Sequence, residues 1–232
     1  MAAKAPRWDM TNVYSSLDSK QFKNAIKKYK AELDELEIFL QKAVKANSKT
    51  DAKKLGKLFG EAMERFNALF NLSGTISPYI YSFVSTDSRN KEAMRALSAF
   101  EQMSVRASVL NTQFQAWTGA LGQTAIKKAA KMNASAKSHE FALLETAEQS
   151  RYLMSPAEEI LAADLTLSGG NAFGKLQGTI TSQMTVDFEL NGKIQKMPMP
   201  ALINLRSHPD EATRRRGYEA ENKAWETVQE TL

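Results

Sequence analysis

Three successive stretches of the chain carry apolar residues at alternating four- and three-residue steps. This spacing is typical of helices that pack one face against a neighbour, so it predicts a mainly α fold in which long antiparallel helices form a bundle. The first stretch comprises Phe22, Ile26, Tyr29, Leu33, Leu36, Leu40 and Ala43. The second comprises Leu55, Phe59, Ala62, Phe66, Leu69, Ser73, Ile76, Ile80 and Phe83. The third comprises Phe100, Met103, Ala107, Leu110, Phe114, Trp117 and Leu121.

Composition allows such a fold and excludes several kinds of site. Of the 232 residues 43% are hydrophobic and only six are proline, so a helical core can form. The absence of cysteine excludes disulfides, thiolate metal sites and thiol catalysis. The net charge of +5 comes from 31 basic and 26 acidic residues in a mixed pattern. We interpret it as a solvated helix surface and expect no nucleic-acid partner.

Hydropathy predicts no membrane-spanning or targeting segment. No apolar stretch reaches the ~20 residues that cross a bilayer, and Met1 to Pro6 is not followed by the apolar core of a signal peptide. We therefore expect a cytoplasmic protein with no membrane partner.

Capping and turn residues divide the chain into helices. Ser16 or Asp18 is the expected cap of a helix near 19–46, and Thr50 or Asp51 begins a second helix, which Pro78 should kink. Gly56 and Gly60 in that helix would permit close approach of a neighbour. Further helices are predicted near 88–118 and 137–148, whereas 124–136 shows no clear stripe.

The last third of the chain begins with a strong helix start. Ser155 to Glu158 forms a capping box with proline at the first helical position, and Ser168 to Asn171 should end that helix. Alternating residues around Asn191-Gly192 predict one small β-hairpin near 184–198. A final helix from about residue 209 is expected to continue to Leu232, as if the chain stopped within a helix whose partners are missing.

The two histidines do not form a metal motif. His139-Glu140 resembles the start of H-E-x-x-H, in which two histidines one helical turn apart bind zinc, but the second position is Leu143. His208 lies in a helix-capping segment, where a local turn role is expected. We therefore predict no metal ligands and no catalytic residue in this chain.

A glycine pair and an arginine run are two further candidate sites. Gly169-Gly170 lacks the lysine and hydroxyl residue of a phosphate-binding loop, although its backbone amides at a helix start could meet an anion. Arg214 to Arg216 is the densest basic run, and Glu219 and Glu221 follow it closely. An anion or nucleic-acid site there is the weakest of the alternatives.

Several short motifs occur in an order that resembles one family. They are Trp8-Asp9, Tyr14 and Leu17-Asp18-Ser19, then Tyr152 to Glu159, Gly-Gly-x-Ala-Phe at Gly169 to Phe173, Ala201 to Leu205, His208-Pro209-Asp210, and Asn222 to Trp225. This order is similar to the N-terminal portion of the oligoendopeptidase F family, zinc metallopeptidases related to thimet oligopeptidase. The resemblance extends from Trp8 to Leu232.

The resemblance implies a two-lobed, mostly helical hydrolase with a deep channel for short peptides. Its zinc ligands would lie in a C-terminal catalytic lobe, so zinc is expected there and no cofactor is expected in this chain. The chain would then be a non-catalytic lobe, inactive alone, with residues 1–150 as a long-helix region and 151–232 leading toward the catalytic lobe. Position in the family makes Gly169, Gly170, Asn171 and Phe173 candidate peptide contacts.

Two further interpretations stay open at this level. The chain could be a stand-alone helical interaction module that binds a partner through its apolar stripes and hairpin. If the last helix normally packs into a missing lobe, its exposed apolar face would also favour self-association.

Overall fold

The computed structural model describes residues 8–232 and is mainly helical, which confirms the predicted fold class. The segment Met1 to Pro6 lies outside the described residues. The chain divides into two compact units, Met1–Leu167 and Ser168–Leu232. The division predicted after residue 150 stays a prediction.

Long helices dominate unit 1, and the three longest each begin at a capping side chain. The helices are α1 (Lys20–Ala43), α2 (Ala52–Thr86), α3 (Lys91–Leu121), α4 (Gln123–Ala130), α5 (Ala134–Ser138), α6 (Glu140–Gln149) and, after a 3₁₀ turn at Ser150–Tyr152, α7 (Pro156–Ser168). Ser19 rather than Ser16 or Asp18 caps α1, because its hydroxyl accepts the Phe22 amide. Asp51 caps α2 as predicted, and Asn90 caps α3.

Side-chain contacts show that α1, α2 and α3 run up, down and up. At one end Phe22 of α1 lies 5.6 Å from Tyr79 of α2, and further along α1 Glu35 pairs with Arg65. The ring of Tyr29 in α1 lies 5.0 Å from that of Phe100 in α3. The guanidinium of Arg106, two turns later in α3, binds Asp34 and Glu37 of α1.

The predicted apolar stripes form the core of unit 1. Nearly all their members are buried, and the exceptions are half-buried, among them Ile26, Met103 and Phe83. Tyr79 lies off the predicted stripe but is also buried, and its hydroxyl donates to the Tyr14 carbonyl at 2.9 Å. The helix α2 continues through Pro78 without a break.

Gly56 and Gly60 allow α4 and α5 to approach α2 closely, as predicted. A Cβ atom on Gly56 would lie 2.5 Å from the Ala129 carbonyl oxygen. A Cβ on Gly60 would overlap the side-chain amide of Asn133, which caps α5. The absence of a side chain at these two glycines therefore lets α4 and the cap of α5, which the sequence periodicity did not predict, lie directly against α2.

Unit 2 contains a hairpin and three helices. They are α8 (Gly170–Gln183), β1 (Thr185–Leu190), β2 (Lys193–Pro198), α9 (Met199–Asn204) and α10 (Glu211–Glu226). The strands pair antiparallel with Val186 opposite Met197, and Asn191 and Gly192 adopt positive φ in the turn, which confirms the hairpin. A small core holds the unit together: Phe188, Met197, Met199, Leu202 and Leu205.

The final helix is shorter than predicted. Asp210 caps α10 by accepting the Thr213 amide, and the helix ends at Glu226 rather than continuing to Leu232. The hydroxyl of Thr227 donates to the Ala224 carbonyl, and the amides of Val228 and Gln229 bond three residues back, so the chain continues as turns.

Candidate functional site

The candidate peptide contacts lie at the start of α8 in unit 2. Gly169 precedes the helix with φ −98° and ψ −101°, and its carbonyl accepts the amide of Phe173 at 2.9 Å. No atom lies within 4 Å of where a Cβ on Gly170 would be, so this backbone is open. Asn171 is half-buried, and the ring of Phe173 is 70% exposed.

This helix start offers binding groups but no reactive group. The side chains of the four candidates are a neutral amide and an aromatic ring, with bare backbone at the two glycines. None of them can act as a general acid or base at neutral pH. The arrangement can therefore hold an extended segment or a ring, and it supplies no chemistry of its own.

The capping box before α7 is formed as predicted. The Ser155 amide donates to Glu158 Oε2 at 2.8 Å, and the Glu158 amide donates to Ser155 Oγ at 3.4 Å. These side-chain and backbone hydrogen bonds of Ser155 lower the pKa of Glu158. Glu159 Oε1 accepts the amide of Met154. The entry into α7 is thus firmly held even though the helix itself buries no residue.

A set of exposed apolar side chains lies on and just before α7. We call it the α7 surface; it comprises Tyr152, Met154, Ile160, Leu161 and Leu165. Sequence analysis missed it, although a signal was present, because the sequence PAEEILAADLTLS is apolar on nearly every side and such helices are normally covered.

A cleft of about 310 Å³ opens beside the α7 surface within unit 1. Its walls include Val109 and Ala116 of α3 and Pro156 and Ile160 of α7. Gly119 fixes one wall, because a Cβ there would lie 2.5 Å from the Cβ of Ser150 and so α3 must contact the 3₁₀ turn directly. The cleft has room for one large apolar side chain.

His139 serves the fold rather than a metal. Its Nδ1 lies 2.8 Å from the Ser135 carbonyl oxygen, and its Nε2 lies 3.1 Å from the side-chain nitrogen of Asn67. A neutral ring that donates from Nδ1 and accepts at Nε2 satisfies both contacts. Leu143, at the position of the missing second histidine, is buried in the core. Residues 8–232 contain no group of three or more His, Cys, Asp or Glu side chains that could hold a metal ion, so the zinc of the resembling family does not fit here.

The other predicted polar features are structural. His208 Nδ1 accepts the Asp210 amide at 3.1 Å, which is the local turn role expected. In the basic run, Arg214 donates to the carbonyls of His208 and Pro209, and Arg216 lies over the ring of Phe188 at 5.6 Å. Arg214 and Arg216 therefore make contacts within unit 2. Among residues 8–232 no helix is both long and apolar enough to cross a membrane.

Comparison with known proteins identifies one region of the chain. Residues 118–185 match the family model described as oligopeptidase F, for the N-terminal domain of these peptidases. No curated protein and no solved structure matches the chain. The match confirms the family resemblance over this segment, which includes α7, α8 and all four candidate peptide contacts.

Proposed function

Because residues 118–185 match the N-terminal domain of oligopeptidase F, we propose that this chain is the non-catalytic lobe of such a peptidase. In this role it walls a substrate channel and restricts entry to short peptides. Zinc and the residues that cleave the peptide belong to a catalytic region that this chain does not supply. The observation that carries the proposal is that α7 and α8, both inside the matched segment, bury no residue within the chain.

The α7 surface is proposed as the contact with the catalytic region of the same peptidase. Five large apolar side chains within fourteen residues form a patch of the kind that marks an interface in soluble proteins. The cleft beside it can receive one apolar side chain of that region. All five residues of the α7 surface lie inside the matched segment.

The start of α8 is proposed as the peptide contact. An extended peptide needs backbone partners and room for its chain, and open space lies beside the backbone of Gly170. Phe173 presents an exposed ring that could pack against a substrate side chain. Length selection would follow from the channel wall, because folded proteins cannot enter a channel that admits an extended chain.

Binding to a separately produced oligopeptidase F catalytic region tests the interface. Calorimetry should detect binding by the unmodified chain, and L161Q/L165Q on the α7 surface should weaken it by about tenfold or more, since apolar anchors dominate such interfaces. The matched control I38Q/Y81Q removes two equally exposed apolar residues of α1 and α2 and should change affinity less than about twofold. An unmodified chain that does not bind, or equal losses in both variants, contradicts the proposal.

Peptidase assays test whether this chain lacks catalytic activity of its own. The purified chain with added zinc should not cleave a quenched fluorescent peptide. Turnover that a chelator abolishes would contradict a non-catalytic role.

A stand-alone interaction module is the alternative that the α7 surface also supports. It is favoured if the chain binds no catalytic region but binds a different protein, and if L161Q/L165Q weakens that binding.

Self-association, which the sequence predicts at an apolar face of the last helix, is proposed here for the α7 surface instead. Light scattering should show dimers at high concentration for the unmodified chain and a monomer for L161Q/L165Q. A monomer in both cases would remove self-association from the proposal without affecting the interface with a catalytic region.

A further inference from the structure

One end of unit 1 carries exposed lysines that acidic residues do not balance. Residues 41–60 contain one carboxylate, Asp51, and residues 119–139 contain none. The two segments contain ten exposed lysines, of which Lys137 pairs with Glu140. The other nine form what we call the lysine surface: Lys42, Lys45, Lys49, Lys53, Lys54, Lys57, Lys127, Lys128 and Lys131. In the sequence these lysines are divided between two distant segments, so neither segment alone indicates a basic surface.

The fold brings the two lysine-bearing segments together. Trp117 Nε1 at the end of α3 donates to the Ala46 carbonyl at 2.9 Å, which ties α3 to the loop after α1. Gly56 in the second turn of α2 lies directly against Ala129 of α4. Ile126 and Ala129 point α4 into the core, so the opposite, exposed face of α4 carries its lysines.

Only a few carboxylates lie near this charge: Asp51 caps α2, Glu61 lies one helical turn after Lys57, and Glu140 interacts electrostatically with Lys127 and Lys131. The ion pairs found among residues 8–232 include none of the nine lysines. Lys53 and Lys54 lie in the first turn of α2, where the positive end of the helix dipole disfavours cations and the Asp51 carboxylate caps the helix. The lysines outnumber the carboxylates near them, so the surface keeps a net positive charge.

The composition of the lysine surface indicates the kind of anion that it fits. It has no arginine, which is the residue suited to bidentate recognition of single phosphates or bases. Phe59 is the one aromatic residue in the two segments and is buried, so no ring is available to stack on nucleotides. Clusters of four to eight basic residues are instead typical of proteins that contact anionic lipid headgroups.

Apolar side chains lie among the lysines. Val44 and Met132 are exposed, and beside Lys45 an open cleft of about 620 Å³ is walled by Val44, Trp117 and Leu121. Apolar groups at headgroup depth, surrounded by lysines, characterise reversible attachment to a membrane surface. Nucleic-acid backbones offer no such apolar layer.

We propose that the lysine surface binds reversibly to anionic phospholipid headgroups, with Val44 and Met132 at the level of the headgroups. The attachment is peripheral, since none of the described helices can span a bilayer. It rests on residues outside α7 and α8, so it stands independently of the peptidase assignment.

Vesicle sedimentation with the full chain tests this surface. The chain should bind vesicles with about one third phosphatidylserine at low salt and release them as salt shortens the range of the field. K127Q/K128Q/K131Q should reduce partitioning by about tenfold or more, because each lysine near such a surface contributes roughly fivefold. All three residues are exposed, so the variant should fold, and circular dichroism checks that it does.

A matched control separates local from total charge. K27Q/K28Q/K30Q removes the same charge from exposed positions of α1, where acidic residues follow closely, and should change partitioning less than about twofold. Equal losses in both variants, or binding to vesicles of neutral phosphatidylcholine alone, overturns the proposal. Tighter binding to a single-stranded oligonucleotide or to polyglutamate than to the anionic vesicles also overturns it.

Discussion

Helices α2 and α8 carry similar apolar stripes with opposite outcomes. In α2 ten residues are buried, among them Phe59 and Ile76. In α8, Phe173, Leu176 and Ile180 recur at helical spacing, yet the helix buries no residue. Apolar periodicity therefore predicts a stripe on a helix but does not indicate which part of the protein, if any, packs against that stripe. For α2 the cover lies in α1, α3 and α4, and for α8 it lies outside the chain under the proposed function.

The difference should also be energetic. Most of the stability of a helix in a protein comes from packing its apolar face, and a helix of fourteen residues alone is marginal in water. We therefore expect α2 to open only with unit 1 as a whole. We expect α8 to open locally, with a much smaller free energy.

Truncating one ring in each helix tests the comparison most strongly. Phe59 is fully buried with its ring 5.1 Å from that of Trp117, so Phe59→Ala should lower the free energy of unfolding by about 3–5 kcal/mol. Phe173→Ala removes an exposed ring and should change it by less than about 0.5 kcal/mol. Urea unfolding followed by circular dichroism measures both. A large effect of Phe173→Ala would mean that α8 is packed in solution.

Adding a methyl group to one glycine in each helix gives the next largest contrast. A Cβ on Gly56 meets the Ala129 carbonyl oxygen, which is backbone and cannot rotate away, so Gly56→Ala should destabilise unit 1 by about 1–3 kcal/mol. A Cβ on Gly178 of α8 meets nothing, and alanine favours helix, so Gly178→Ala should stabilise α8 by about 0.5–1 kcal/mol. The first is read from urea unfolding, the second from amide exchange in α8. A neutral Gly56→Ala would contradict the close approach of α4.

These contrasts explain how far the sequence could go. The stripes predicted the cores of α1, α2 and α3 because each stripe meets another within the same chain. The hairpin could also be predicted, because Asn191-Gly192 strongly favours a type I′ turn. By contrast, α4 and α5 are short and bury mostly alanine, with Ile126 as the one larger side chain, so they leave little apolar pattern in the sequence. At the end of α10 the Thr227 hydroxyl competes for the Ala224 carbonyl, and the α7 surface is exposed although its helix is largely apolar.

Unit 2 allows the comparison to be repeated within one small unit, because α10 is anchored where α8 is not. Glu221 of α10 is 5% exposed and accepts two hydrogen bonds from Arg206, at 2.6 and 3.2 Å. Arg206→Ala leaves this carboxylate without its partner and should destabilise unit 2 by about 1–2 kcal/mol, at the low end because the arginine is itself largely exposed. Arg215→Ala breaks an exposed pair with Glu211 on the same helix and should change stability by less than about 0.5 kcal/mol. Equal effects in urea unfolding would contradict the anchoring role of Arg206.

The smallest contrast concerns how α8 and α10 of unit 2 begin. Asp210 accepts hydrogen bonds from the Thr213 hydroxyl and amide, which lower its pKa, whereas Gly169 before α8 has no side chain to cap with. A lowered pKa means that the Asp210 cap stabilises α10 above the ordinary aspartate range near pH 4 and is lost as pH falls through the lowered value. In nuclear magnetic resonance the Thr213 amide should therefore titrate below pH 4, while the Phe173 amide, which donates to the Gly169 carbonyl, should not. Asp210→Asn keeps an acceptor but cannot titrate, so the chemical shift of the Thr213 amide should no longer change below pH 4. If it still changes, another group is responsible, and the caps of α10 and α8 do not differ in this way.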